Sequence, residues 1–190
     1  MVLLLASGSP RRADLLRAAG LPFEVAPPDV DETPQAGESP ETMVARLAEA
    51  KARAVAVAHP GRAVLGADTT VVIDGTSLGK PVDAADASRM LAALSGRTHT
   101  VLTGVCLVSP RAPAGESAVA ATQVEFLPLS PDEVAWYVAS GEPMDKAGGY
   151  AIQGLGSRFV RRIEGSYANV VGLPVELILG MCRAQGIQVS

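Results

Sequence analysis

Leu5-Ala6-Ser7-Gly8-Ser9-Pro10-Arg11-Arg12 reads as the end of a strand, a tight turn and the start of a helix. Val2 to Ala6 is a continuous apolar run, the pattern of a buried strand. Ser9 and Pro10 fit the N-cap and first helical positions, with a helix to about Ala19 and Gly20 beyond its end. A helix start presents free N–H groups and partial positive charge. Arg11 and Arg12 in that first turn cost roughly 0.3–1 kcal/mol each if exposed, which makes sense if an anion sits there. Ser7, Gly8 and Ser9 then offer hydroxyls and close backbone approach to phosphate oxygens. The plainer alternative is a surface helix capped by Ser9. The turn is no Walker loop, because Gly-Lys-Ser/Thr is absent. Nor is Gly154-Leu155-Gly156 a dinucleotide fingerprint, since the third glycine position is Phe159.

Outward from this turn, strand and helix patterns alternate. A strand is expected over Phe23–Ala26, then a polar, Pro-rich loop from Pro27 to Pro40. A helix follows from Ser39-Pro40 to about Ala58. Ala63–Ala67 and Thr70–Ile73 read as strand segments flanking Asp68, with a turn at Asp74-Gly75. Asp83 caps a helix to about Leu94. Thr98–Val108 and Ala118–Leu127 read as strands joined by a loop containing Pro and Gly. Ser130 to Glu133 has the form of a capping box. The Gly-rich stretch Pro143–Gly156 reads as loop, Phe159–Ile163 and Asn169–Val171 as short strands, and Pro174 to about Ala184 as a last helix. The expectation is a single α/β domain over residues 1–190 with a mixed sheet and flanking helices.

Composition narrows the function. The 190 residues are 48% hydrophobic but only 4% aromatic, so Ala, Val and Leu must build the core. The net charge of −4 argues against nucleic acid as a partner, because such binding leaves a basic footprint. Cys106 and Cys182 form no CxxC pair, against a disulfide scaffold or zinc site. No apolar stretch approaches the ~20 residues of a membrane span. Arg11 and Arg12 follow the opening apolar run rather than precede it, unlike a signal peptide. A soluble, cytoplasmic protein is expected.

Among sixteen basic residues only Lys51, Lys80 and Lys146 are lysines. Where arginine is the default cation, a retained lysine marks a place for a compact ammonium rather than a planar fork. Asp68 ends the apolar run Ala63–Ala67, where a carboxylate suits a hard cation or a base that orients water. It could equally cap the strand end. The Asp29–Glu32 loop could add ligands, although for Asp29, Asp31 and Glu38 a solvated loop is the better reading.

Together these segments resemble the Maf family over nearly the whole chain. The resemblance is carried by Leu5–Arg12, Asp29–Glu32, Glu49–Ala52, Gly66–Thr69, Gly79-Lys80-Pro81, Ser95–His99, Asp145–Gly154, Gly165-Ser166-Tyr167 and Val171–Pro174, in that order. It implies a fold related to inosine triphosphate pyrophosphatases, with two lobes around a cleft. It also implies pyrophosphohydrolase activity on nucleoside triphosphates, Mg²⁺ or Mn²⁺, and a homodimer. Lys51 and Lys80 match triphosphate-contacting positions, and Asp68 matches the catalytic acidic residue. Lys146 is assigned to orienting the Gly-rich loop.

One subgroup of the family resembles dTTP/UTP pyrophosphatases. Another acts on 7-methyl-GTP, with an aromatic residue after the Pro, Gln after the Asp and Glu in the last motif. Arg11, Thr69 and Gln153 stand at those positions here and point to the first subgroup. Gly149-Tyr150-Ala151 departs from the usual Ala-Tyr-Gly, and Thr70 from a commoner aliphatic residue.

The implied site uses Ser7, Arg11, Arg12, Lys51 and Lys80 on the phosphate chain. Asp68 and Glu32 serve the metal, Asp68 serves also as base, and Thr69 and Gln153 face the nucleobase. The rival readings are a nucleotide-binding regulator of cell division without catalysis, and a housecleaning enzyme for modified nucleotides.

Overall fold

The computed structural model describes residues 2–188. A seven-stranded mixed sheet has the order β2-β1-β3-β5-β6-β7, with β4 paired to β3. Its strands are β1 (Leu3–Ala6), β2 (Phe23–Val25), β3 (Ala63–Ile73), β4 (Thr76–Leu78), β5 (Thr98–Ser109), β6 (Ala112–Phe126) and β7 (Val160–Glu164). The helices are α1 (Pro10–Ala18), α2 (Pro40–Ala58), α3 (Ala84–Leu94), α4 (Pro131–Ala139), α5 (Tyr167–Val171) and α6 (Val175–Ala184). β1 runs parallel to β2 and β3, while β4 on β3 and β7 on β6 are antiparallel. No helix among the described residues is long and apolar enough to cross a membrane.

The chain divides into two compact units. The first comprises the residues up to Asp68, Thr103–Ala120 and those from Gly172. β1 and the unit's stretches of β3 and β5 are buried on both faces, the expected state of strands covered by helices on each side. On one face Leu3, Leu5, Ala63, Leu65, Val105 and Leu107 pack with Leu16 of α1 and with Ile178 and Met181 of α6. On the other, Leu4, Ala6, Val64 and Cys106 pack with Ala48, Ala52 and Val55 of α2. Alternate strand residues point to opposite faces, so the nearly unbroken apolar run of β1 serves both cores.

Small residues let α2 lie close to the sheet. A Cβ on Gly66 of β3 would fall 2.2 Å from the carbonyl oxygen of Ala48, and one on Gly104 of β5 would fall 2.3 Å from that of Val44. Only the absence of side chains at both positions allows this approach.

The second unit comprises Thr69–Leu102 and Ala121–Val171 and holds most of the few aromatic residues. Phe126 meets His99, Tyr150 and Phe159 with ring centroids 5.0, 4.7 and 6.2 Å away, and Tyr137 lies 5.1 Å from Phe159. His99 is buried, and its Nε2 lies 2.8 Å from the Tyr150 hydroxyl. Burial pushes its pKa down to about 4. The unfolded chain, with a histidine pKa near 6.5, therefore binds this proton first as pH falls. Stability from neutral His99 is complete above about pH 6.5 and is lost progressively toward about pH 4. The expected loss is on the order of 3 kcal/mol. Urea unfolding at pH 7 and 4.5 checks it: wild type should lose more stability than His99→Gln, and equal losses would show that this histidine does not titrate on unfolding.

The structure corrects three local expectations and adds one strand after the expected turn at Asp74-Gly75. β3 is one uninterrupted strand running through Asp68, so Asp68 is no strand-end cap. Asp74 and Gly75, both at positive φ, turn the chain tightly into β4, a strand too short for sequence periodicity to reveal. β6 begins at Ala112, taking in the Pro113–Gly115 stretch read as loop. Asn169–Val171 is helical rather than extended. Its local cause is Asn169: the backbone N–H donates to Ser166 Oγ, while the buried side-chain amide donates to the Val101 carbonyl and Thr122 Oγ1. These bonds favour a turn over a β ladder.

Candidate active site

The turn from β1 into α1 forms one wall of the site. Ser7, buried, accepts at Oγ from the Ser9 amide at 3.2 Å and from Arg12 Nη1 at 3.1 Å. Ser9 stands at the N-cap position without a side-chain capping bond, so its expected capping role is not what closes this helix start. Arg12 also donates from Nη1 to the Ala67 carbonyl and from Nε to the Gly172 carbonyl, both at 2.9 Å. The guanidinium thus ties the turn to β3 and to the chain entering α6. Burial presses its pKa down, opposed by the nearby charges of Asp68 and Glu32. Arg11 stands half-buried beside it in the first turn of α1.

The second wall is α2 against β3. Lys51 belongs to the buried stripe Val44, Leu47, Ala48, Lys51, Ala52 and Val55, the helical spacing of a core face. Its ammonium is 2.7 Å from Asp68 Oδ1 and 2.7 Å from Glu32 Oε1. Lys51 and Asp68 are 6% and 8% exposed, enough burial for each charge to require its partner. Burial raises the Asp68 pKa above the usual carboxylate value, against the opposing charge and hydrogen bond of Lys51 and the charge of Arg12; Glu32 adds to the rise. Among the described residues no cluster of three or more His, Cys, Asp and Glu side chains could hold a metal alone.

Glu32 is supplied by the Pro-rich loop, and the sequence reading missed what ties that loop down. Arg46, five residues before Lys51 on α2, holds Glu38 through Nε and Nη2 at 2.6 and 2.7 Å and reaches the Thr33 carbonyl at 3.3 Å. Asp31 accepts from the Thr33 amide and hydroxyl at 2.9 and 2.6 Å. Glu38 is therefore a tether rather than a solvated acid. Its signal in the sequence is one of two arginines on α2, with nothing to say that an acid eight residues earlier faces it.

Ser7, Arg12, Glu32, Lys51 and Asp68 thus come together in the first unit, with Arg11 in the same helical turn as Arg12. Thr69, Lys80 and Gln153 belong to the second. Thr69 follows Asp68 on β3, and Lys80 and Gln153 are exposed. The Gly79 carbonyl next to Lys80 accepts from the Gly148 amide at 3.0 Å. Gly148 and Gly149 are both at φ +68, and a Cβ on Gly148 would meet Val71 at 2.7 Å. A glycine before Tyr150 therefore suits the backbone found there. Lys146 donates to the Glu142 carbonyl at 2.9 Å and pairs with Asp145.

Comparison with known proteins agrees with this arrangement of motifs. A "dTTP/UTP pyrophosphatase" of Symbiobacterium thermophilum is 53% identical over 187 residues, covering 97% of this chain and 94% of that protein. One of Koribacter versatilis is 51% identical over 187 residues, covering 98% and 96%. Among solved structures, a HAM1 protein from Coxiella burnetii aligns with a TM-score of 0.45 and 19% identity, covering 66% of this chain and 73% of that one. The Maf-like protein family matches residues 2–185, and the chain belongs to the Maf family.

Proposed function

We propose that this chain hydrolyses nucleoside triphosphates, dTTP and UTP in preference, to the monophosphate and pyrophosphate. The observation that carries the reading is the Lys51 ammonium, held at 2.7 Å by both Asp68 and Glu32 beside the basic start of α1. Two carboxylates converging on one small cation make a hard oxygen donor pair of the kind Mg²⁺ or Mn²⁺ takes. Asp68 and Glu32 would hold the ion, with substrate phosphates and water completing its shell. When bound, it supplies charge neutralisation on phosphate oxygens.

The protein's own residues do the remainder. Arg11, the N–H groups of the first turn of α1 and Lys80 bind the phosphate chain. Arg12 fixes Ser7 and the β3 backbone, so the phosphate-binding turn is rigid before substrate arrives. Lys51 keeps Asp68 ionised despite its burial. Asp68 takes the proton of a water whose oxygen attacks the α-phosphorus. The bond from that phosphorus to the α–β bridging oxygen breaks, and pyrophosphate leaves.

Phosphate contacts are shared by every nucleoside triphosphate, so discrimination falls to groups near the base. An amide such as Gln153 can donate and accept toward the carbonyl and N–H of uracil or thymine. A carboxylate at the same place only accepts, which suits guanine. A buried donor or acceptor left unpaired costs ~1–3 kcal/mol. The expected preference for dTTP and UTP over GTP, ATP and 7-methyl-GTP is at least about tenfold in kcat/KM. Gln153→Glu should erode it more than it lowers hydrolysis overall. Pyrophosphate release from each triphosphate with Mg²⁺, and after chelation with EDTA, tests the whole proposal. Superior turnover of 7-methyl-GTP would overturn the base assignment, and undiminished turnover in EDTA the metal assignment.

A further inference from the structure

We propose that Glu142, acting with Tyr137, is a positioning residue for base selection, because the pair holds the bend that carries Gln153. This rests on the reading of Gln153 as the side chain that faces the base. Glu142 opens a short 3₁₀ turn, Glu142–Asp145, and its half-buried carboxylate collects three donors. Oε1 accepts from the Tyr137 hydroxyl at 2.7 Å and the Gly156 amide at 3.0 Å, and Oε2 accepts from the Leu155 amide at 2.9 Å. The same Tyr137 hydroxyl accepts from the Ala151 amide at 3.0 Å. Backbone groups two residues before Gln153 and two residues after it are thus bonded to one Tyr–Glu pair.

The glycines around Gln153 fit this pair. A Cβ on Gly154 would lie 2.1 Å from Glu142 Oε2, and one on Gly156 would lie 2.7 Å from the Tyr137 hydroxyl. The chain therefore closes onto the carboxylate as only glycine can. Tyr137 is fully buried, which gives the device a fixed base. Burial works against the charge on Glu142, but the Gly156 and Leu155 amides, the Tyr137 hydroxyl and Lys146 outweigh it, leaving the carboxylate below its usual pKa. Gln153 itself is exposed and owes its direction to the backbone on either side.

Glu142→Gln keeps the shape and offers one oxygen instead of two. If that oxygen serves Tyr137 and Gly156, the new NH₂ group faces the Leu155 N–H, donor against donor. Tyr137→Phe removes a single hydroxyl and frees the Ala151 amide. Two readouts apply to both variants: amide hydrogen exchange, and kinetics with UTP and GTP in Mg²⁺. Exchange at Ala151 in both variants, and at Leu155 and Gly156 in Glu142→Gln, should rise at least about tenfold. The KM for UTP should rise about tenfold with kcat held within about threefold, while the KM for GTP changes by less than about threefold.

Unchanged exchange in both variants overturns the proposal. So does faster exchange with equal losses on UTP and GTP, which would make the pair a support of the fold alone. If Gln153→Glu shifts the UTP/GTP ratio and Glu142→Gln does not, the positioning role falls and the Gln153 reading stands. If Gln153→Glu leaves that ratio untouched, the base reading fails and this proposal fails with it.

Discussion

Asp68→Asn is expected to lower kcat for dTTP at least about a hundredfold, ~2.7 kcal/mol of barrier, while the Kd for the nucleotide stays within about threefold. A positioned general base contributes typically ~10²–10⁴ in rate. Asp68 has the surroundings of one: it is 8% exposed, and burial raises its pKa above the ordinary carboxylate range. The raised pKa makes it a better proton acceptor, and the ammonium of Lys51 at 2.7 Å keeps it ionised until substrate binds. Asparagine preserves the shape and leaves Lys51 an oxygen to bond, so the fold should survive. What disappears is the group able to accept a proton. Affinity is measured in EDTA, without the metal, where a carboxylate beside a polyphosphate repels it and its loss does not weaken binding. Single-turnover pyrophosphate release, paired with calorimetric titration of nucleotide, separates the two quantities. A variant that keeps more than roughly a tenth of wild-type kcat would show that Asp68 is not the base.

The parts of the site legible in the sequence share one property: their signal is local. The strand–turn–helix at Leu5–Arg12 shows through an apolar run, a Ser-Pro and two arginines in succession, and the structure has β1 and α1 there. The capping box at Ser130 and Glu133 is likewise local, and both of its bonds are present. The scarcity of lysine marks Lys51, and its place on α2 is a second signal. It stands at a core position of α2, with Ala48 and Val55 one turn to either side on the buried face. A lysine in an apolar stripe calls for a buried acid, and Asp68 and Glu32 answer it.

What stayed illegible depends on partners far along the chain or on the backbone alone. Arg46 and Glu38 gave no hint of their pairing. Nothing in the sequence around Glu142 shows that the Gly-rich loop folds onto its carboxylate. The charge of Asp68 interrupts the apolar pattern of β3, yet a strand tolerates the acid where a helix brings an ammonium to it. Val170 and Val171 favour strands, whereas the buried amide of Asn169 decides the local conformation.

Gly66→Ala should cost about 3 kcal/mol or more of stability and lower kcat/KM about a hundredfold, although Gly66 itself touches no substrate. Its added Cβ would stand 2.2 Å from the Ala48 carbonyl oxygen and 2.7 Å from the Ala52 nitrogen. Both are helix backbone, so no rotamer change relieves the clash, and α2 must move away from β3. Overpacking a core costs typically ~1–3 kcal/mol, and a collision with backbone belongs at or above the upper end. At roughly 2–4 °C per kcal/mol for a chain of this size, the melting temperature should fall by about 6–12 °C. The activity loss has a separate cause. Gly66 lies two residues before Asp68 on β3, and Ala48 and Ala52 flank Lys51 on α2. The displacement that relieves the clash therefore also draws the ammonium from the carboxylate. Small errors in the placement of catalytic groups cost about a hundredfold, so the loss should persist at 10 °C, where circular dichroism shows the variant folded. Gly180→Ala is the control: that glycine lies within α6 with open space around its would-be Cβ. An alanine there should leave activity unchanged and stabilise by ~0.5–1 kcal/mol. A Gly66→Ala protein that melts within about 2 °C of wild type and turns over dTTP normally would mean that the close seat of α2 does not set the Lys51–Asp68 distance.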